Sequence, residues 1–302
     1  MLAALAVTLV AAGCGLGPGR GTGNVGLTVS QGFGSSALAT RTVAHVPGSE
    51  TVMRLLERSF SVTTRYGGGF VQSIDGHAGD SSQHDWFYYV NGVEAPAGAA
   101  TTAVHAGDRI WWDLHDWRAS ESIPAVVGAF PEPFVHGIGG KRYPTVVECG
   151  GTGVQAACGT VDDALGKIGV PAATQQFGTG SGVDSLGVLV ATWSMLRPAL
   201  VATLIERGPG TSGVYARFTD GGSRLALLDP AGQVARTLGP GAGLIAATAA
   251  PDQPPTWLIT GTDPAGVAAA AAKLSSSALA GHFAVAVTSG GTVVPLPLEP
   301  GQ

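Results

Sequence analysis

Charge is what this sequence has least of. Only 12% of its 302 residues are Asp, Glu, Lys or Arg, about half the share of roughly 25% in ordinary globular chains. The 16 Lys and Arg form no basic stripe, and the formal net charge is −5. A nucleic-acid ligand requires cations clustered against its phosphates, so that class is excluded. Long hydrophobic runs are also missing. The apolar stretch Leu2 to Ala12 is too short to span a bilayer. There is no P-loop, no H-E-x-x-H and no G-x-S-x-G elbow. No spacing of Ser, His and Asp points to a triad, and no local base serves Cys149 as a nucleophile. The expectation is a protein that is not an enzyme.

Cysteine is scarce, at three residues, and each has a distinct context. Cys14 follows Ala11-Ala12-Gly13 at the end of the short apolar run. That arrangement resembles the lipobox of bacterial lipoproteins, in which the cysteine is lipidated after signal-peptide cleavage. No Lys or Arg precedes the run, as a signal peptide normally requires. Gly15 to Gly23 follows as a glycine-rich tether. The reading is an exported protein, held by a lipid on the outer face of the cell membrane. In that oxidising setting Cys149 and Cys158 are expected to pair across a short loop.

Aromatics are only 7% of the chain, yet they are concentrated. Asp85 to Trp117 holds four of the six tryptophans and two of the five tyrosines. Trp86, Tyr88 and Val90 alternate with Phe87, Tyr89 and Asn91; Ile110, Trp112, Leu114 and Asp116 alternate with Arg109, Trp111, Asp113, His115 and Trp117. A period of two predicts two strands, bounded by the turns Asn91-Gly92 and Ala106-Gly107-Asp108. A core absorbs aromatics on one face only. The second face is therefore expected to be covered by another part of the chain or left open for a ligand. Phe87, Val90, Ile110 and Leu114 read as core. Trp86, Tyr88, Asn91, Trp111, Trp112, His115, Asp116 and Trp117 are the candidate ligand-binding residues. Asp113 and His115 share a strand face, but the third ligand that a metal would need cannot be placed, and no metal site is assigned.

The runs W-F-Y-Y-V-N-G-V and G-D-R-I-W-W-D-L-H-D-W resemble the β-grasp domain at the C-terminus of the cobalamin carriers transcobalamin and intrinsic factor, and bacterial relatives of unknown function. The resemblance covers residues 23 to 118, about a third of the chain. It implies a sheet wrapped around one helix and a small-molecule ligand, with cobalamin or another corrinoid as the candidate; no cofactor is otherwise assigned. In those carriers this domain covers one face of the corrin ring. A membrane importer is the implied partner. The alternative function is a cell-envelope interaction module with no small-molecule ligand.

The rest follows in chain order. Val25, Leu27 and Val29 predict a first strand, and Thr42 to Val46 its hairpin partner. Ser49 is the expected N-cap of a helix through Arg58. Val62 and Phe70 to Ile74 predict a hairpin opened by Gly67-Gly68-Gly69. The expected organisation is a signal segment 1–14, a tether 15–23, a β-grasp domain 24–119, a linker or strap 120–134 and an α/β domain 135–302. In the last part, a strand at Thr145 to Glu148 and a helix at Val154 to Ile168 resemble a later strand at Thr256 to Thr260 and the helix Ala265 to Leu274. The fold class is therefore α+β, with two βαβ-like halves in the second domain. Gly151-Thr152-Gly153-Val154-Gln155-Ala156 fits the G-x-G-x-x-A pattern of dinucleotide sites, but a tight turn into a helix is the simpler reading.

Overall fold

The computed structural model describes residues 23–80 and 82–299 of the chain. Cys14 and the tether up to residue 22 lie outside the described residues. The protein is a mixed α+β structure with four sheets among those residues.

The first part contains β1 (Val25–Gln31), β2 (Ser36–Val43), α1 (Val52–Ser59), β3 (Val62–Arg65), β4 (Phe70–Ile74), β5 (His77–Ala78), β6 (His84–Val90), β7 (Val93–Glu94) and β8 (Arg109–Asp116). Five strands form one sheet in the order β2-β1-β8-β6-β7. β1 and β8 run parallel, and the other pairs are antiparallel. Strands β3, β4 and β5 make a separate small sheet. The period of two places Val25, Leu27 and Val29 inside, and the register sets Leu27 beside Ile110 and Val29 beside Trp112. Val52, Leu55 and Leu56 of α1 are fully buried against this face, and each contributes about 1.5–3 kcal/mol.

Two expectations are corrected here. The N-cap of α1 is Thr51, whose hydroxyl accepts from the Arg54 N–H at 3.3 Å, and not Ser49. Pro47 to Glu50 closes a turn first, and buried Glu50 pairs with Arg58 at 2.9 Å. The partner of β1 begins at Ser36 rather than Thr42. Its first residues are small, so no hydrophobic alternation announces them. The turn between the strands is confined to Gly32, Phe33, Gly34 and Ser35, and the first three have positive φ.

The later part contains β9 (Thr145–Gly150), α2 (Gln155–Lys167), β10 (Ala172–Gln176), β11 (Leu186–Thr192), α3 (Trp193–Leu196), α4 (Leu200–Glu206), α5 (Pro209–Ser212), β12 (Ala216–Thr219), β13 (Arg224–Leu228), β14 (Val234–Leu238), β15 (Gly243–Thr248), β16 (Thr256–Gly261), α6 (Pro264–Ala271), α7 (Ser276–Leu279), β17 (Ala284–Val287) and β18 (Val293–Leu296). Seven strands make one sheet, ordered β10-β9-β11-β16-β15-β17-β18. The first four are parallel to one another. β11 is buried along nearly its whole length, as its continuous apolar run requires of a central strand. β12 to β14 form an antiparallel meander beside it.

Residues 120–134 are packed, not extended through solvent. Ile123, Val126, Val127, Phe130 and Phe134 are buried, and the Val127 N–H donates to the Phe283 carbonyl at 3.0 Å. This strap and Phe283 cover the face of the first sheet opposite α1. The sulfurs of Cys149 and Cys158 lie at bonding distance, with their Cα atoms 6.1 Å apart.

Candidate functional site

The eight candidate residues do not form one platform. Strand alternation divides them between the two faces of the first sheet, and the two faces have different fates.

On the α1 side, Trp86, Tyr88 and Trp112 come together. Tyr88 and Trp112 stand opposite each other on β6 and β8 and stack at 4.8 Å. With Met53, Val71, Ala99 and Phe70 they line a surface cavity of about 430 Å³. Trp86 and Trp112 form its largely buried floor, while Phe70 on the β3–β4 hairpin is 66% exposed above it. Phe70 makes an edge-to-face pair with Tyr66, which is 84% exposed. Two of the three rings have their polar ends tied down, while Trp112 Nε1 is buried without a hydrogen-bond partner among the described residues. Trp86 Nε1 donates to the His77 carbonyl at 3.2 Å, and the Tyr88 hydroxyl donates to the Ala97 carbonyl and bonds Thr102 Oγ1. These bonds fix the ring planes and leave their apolar surface to the cavity.

Two carboxyls flank the rings. Burial pushes the Asp85 carboxyl above its usual range, with Arg65 opposing and Asp80 reinforcing the shift. Burial does the same to Glu94, against the hydroxyl that Ser122 donates to it. A raised carboxyl pKa means the folded state holds the proton more tightly than the unfolded chain. Glu94 therefore favours folding at low pH, and that contribution is lost as pH rises from its unfolded value near 4.5 through its raised folded value. Glu94→Gln is expected to flatten this part of the stability profile and raise the thermal midpoint near neutral pH. Melting curves between about pH 4 and 7 check it.

On the opposite face, Trp111 and His115 are sealed in a seam. His115 lies between Phe33 and Phe87, with ring centroids 4.6 and 4.5 Å away, and Phe283 meets both His115 and Trp111 edge-on. Asp113 is fully buried at the centre. It accepts from the Ser30 hydroxyl, from the Phe33 and Gly34 N–H groups at 2.9 and 2.8 Å, and from His115 Nδ1 at 2.9 Å. Trp111 Nε1 donates to the same Ser30 hydroxyl at 2.6 Å. Trp111 and His115, two of the candidate ligand-binding residues, thus stand apart from the Trp86–Tyr88–Trp112 cavity. Their rings pack on Phe283, contributed from far along the chain.

Asn91 also lies away from the cavity. It is fully buried with φ 54°, donates to Asp108 Oδ1 and the Gly137 carbonyl, and accepts from the Arg109 N–H, all at 2.8 Å. Asp116 is held by Arg118, whose hydrogen bonds keep its carboxyl below the usual range. With His115 it borders a separate 350 Å³ hollow beside His84 and Glu299. Trp117 is half-buried; its backbone N–H donates to the Gln83 carbonyl, and its indole Nε1 has no hydrogen-bond partner among the described residues. Among the described residues no group of three or more His, Cys, Asp or Glu is placed to hold a metal ion. Sequence reasoning missed Met53, Phe70, Asp85 and Glu94. The one available signal was Phe70, an aromatic directly after three glycines in a hairpin.

Residues 49–116 match the family model described as Domain of unknown function (DUF4430). That span contains every residue lining the Trp86–Tyr88–Trp112 cavity. It is less than half of the chain. No curated protein matches the sequence. Among solved structures, a candidate metal binding protein from Ruminococcus gnavus is 20% identical, with 31% of this chain and 97% of that one covered, at a TM-score of 0.26. Haptocorrin in complex with Cbi is 15% identical, with 32% of this chain and 26% of that one covered, also at 0.26. The chain spans about a quarter of haptocorrin's length.

Proposed function

We propose that this is an exported lipoprotein that captures a small amphipathic ligand in the Trp86–Tyr88–Trp112 cavity for delivery to a membrane importer. In this reading residues 24–119 are a β-grasp domain, with α1 held by the five-stranded sheet. Residues 135–302 are an α/β domain of two βαβ-like halves. Cys14 carries the lipid that holds the protein at the outer face of the membrane, and the protein performs no chemical step. One observation carries the proposal: three ring systems from neighbouring strands share a surface cavity under an exposed phenylalanine. Cavities of this size, mostly apolar with a few polar groups at the margin, suit small ligands. A corrinoid is the first ligand to test. The sequence resemblance suggests it, and its flat ring with amide arms matches a stacked aromatic floor flanked by Asp85 and Glu94.

The test is a titration of cobinamide and cobalamin into the chain lacking residues 1–14, followed by tryptophan fluorescence. Quenching at micromolar ligand is expected, and Phe70→Ala should weaken it about tenfold, or about 1.4 kcal/mol. Trp111→Phe should leave it intact, because that indole faces the seam. No quenching would remove the corrinoid. In cells, Cys14→Ser should release the protein from the membrane fraction; retention would overturn the anchor. Exposed Tyr66 and Phe70 favour the second reading, an envelope interaction module. It would gain if both rings were needed for binding to cell walls while no small ligand entered the cavity.

A further inference from the structure

The seven-stranded sheet carries a second and larger cavity, remote from the aromatic pocket. Its volume is about 940 Å³, and it lies at the carboxyl ends of β9 and β10 beside α2, bordered by Met195 of α3, the helix that follows β11. The strand order explains it. From β9 the chain passes through α2 to β10 on one side of β9; the next strand, β11, pairs on the other side. The connections leaving β9 and β11 therefore diverge and open a crevice. Open α/β sheets hold their ligands at this kind of switch point.

The walls are defined by packing. Phe177 lies over Gly150, where a Cβ would stand 2.6 Å from that of Phe177, so the ring's position depends on the glycine. Met195, 41% exposed, borders the opposite side. The Cys149–Cys158 pair ties the end of β9 to α2, which keeps this wall in place.

The chemistry of the lining selects a ligand class. Gln155 and Gln175 are committed to the Gly151 and Gly180 carbonyls. Thr152, Asp162, Thr174 and Gln176 are exposed, with side chains that have no partner among the described residues. The lining contains no Lys, Arg or His. A phosphate would meet the Asp162 carboxylate with no cation to offset it, so the lining favours a neutral ligand over a nucleotide. Two hydroxyls, an amide and a carboxylate supply donors and acceptors together, beside a phenyl ring and a thioether. That set suits a neutral molecule rich in hydroxyls with an apolar C–H face. We propose that this cavity is a saccharide-binding site.

The full chain is titrated with maltotriose, cellotriose and chitotriose, and separately with ADP. The readouts are calorimetry and the backbone amide signals of residues 150–155 and 174–177. At least one trisaccharide is expected to bind and shift those signals, with ADP silent. Gly159→Trp places an indole in the cavity from a helix position where a Cβ meets nothing within 4 Å. It should weaken binding at least about tenfold without lowering the thermal midpoint. Gln176→Ala, an exposed edge-strand change, is the second variant and should weaken binding as well. Phe70→Ala should have no effect, which separates this site from the aromatic pocket. The proposal is overturned if no trisaccharide moves these amides, if ADP moves them instead, or if binding survives both Gly159→Trp and Gln176→Ala unchanged.

Discussion

Asp113→Ala is expected to cost the fold about 3–5 kcal/mol, the range for stripping one partner from a buried charged network. The carboxylate is fully buried and accepts four hydrogen bonds, two from the backbone of the Gly32–Ser35 turn and two from Ser30 and His115. Alanine would leave all four groups without an acceptor, in a space sealed by Phe33, Phe87 and Phe283. An unmet buried donor costs about 1–3 kcal/mol, and rearrangement of the turn recovers part of the sum. Urea unfolding followed by fluorescence measures the loss. Asp184→Ala is the control: that carboxylate is 78% exposed in its pair with Lys141 and should change stability by no more than about 0.5 kcal/mol. If the two variants unfold at the same urea concentration, the seam is not a buried network.

Trp111→Ala is the second large effect, at about 3–5 kcal/mol from lost packing and the cavity left behind. The indole is 5% exposed and packs against Phe283 and Tyr89. A Cβ added at Gly34 or Gly128 would fall 2.7 or 2.8 Å from its ring, so the backbone on both sides is moulded around it. Because Trp111 and Asp113 share the Ser30 hydroxyl, the double variant should lose less than the sum of the single losses, by about 0.5–3 kcal/mol. Strict additivity in denaturant melts would show that the shared hydroxyl does not couple them.

The alternation of Trp86, Tyr88 and Val90 with Phe87, Tyr89 and Asn91 was enough to assign each side chain to a face of the sheet. It could not say what covers the second face. Beside the strap, the cover comes from Phe283 and Tyr215, about a hundred residues or more away in sequence, and no local pattern carries that information. A surplus of rings therefore looked like a binding platform, although half of it is a seam inside the molecule. β10 and β14 escaped notice for a different reason. Ala172–Gln176 and Val234–Leu238 are largely exposed edge or near-edge strands, so selection for burial leaves no hydrophobic rhythm in them. Phe70 read only as a hairpin residue, because strand periodicity does not say which hairpin rings stay exposed.

The parallel pairing of β1 with β8 has a consequence for biosynthesis. The strand made first in this region is completed only by the one made last, with α1 and six other strands between them. Such distant closure is slow. A ribosome must finish residue 116 before Leu27 meets Ile110, and must reach Phe283 before Trp111 is sheltered. Until then the tryptophan-rich hairpin is bare, and holding factors that bind nascent apolar segments have their longest opportunity there.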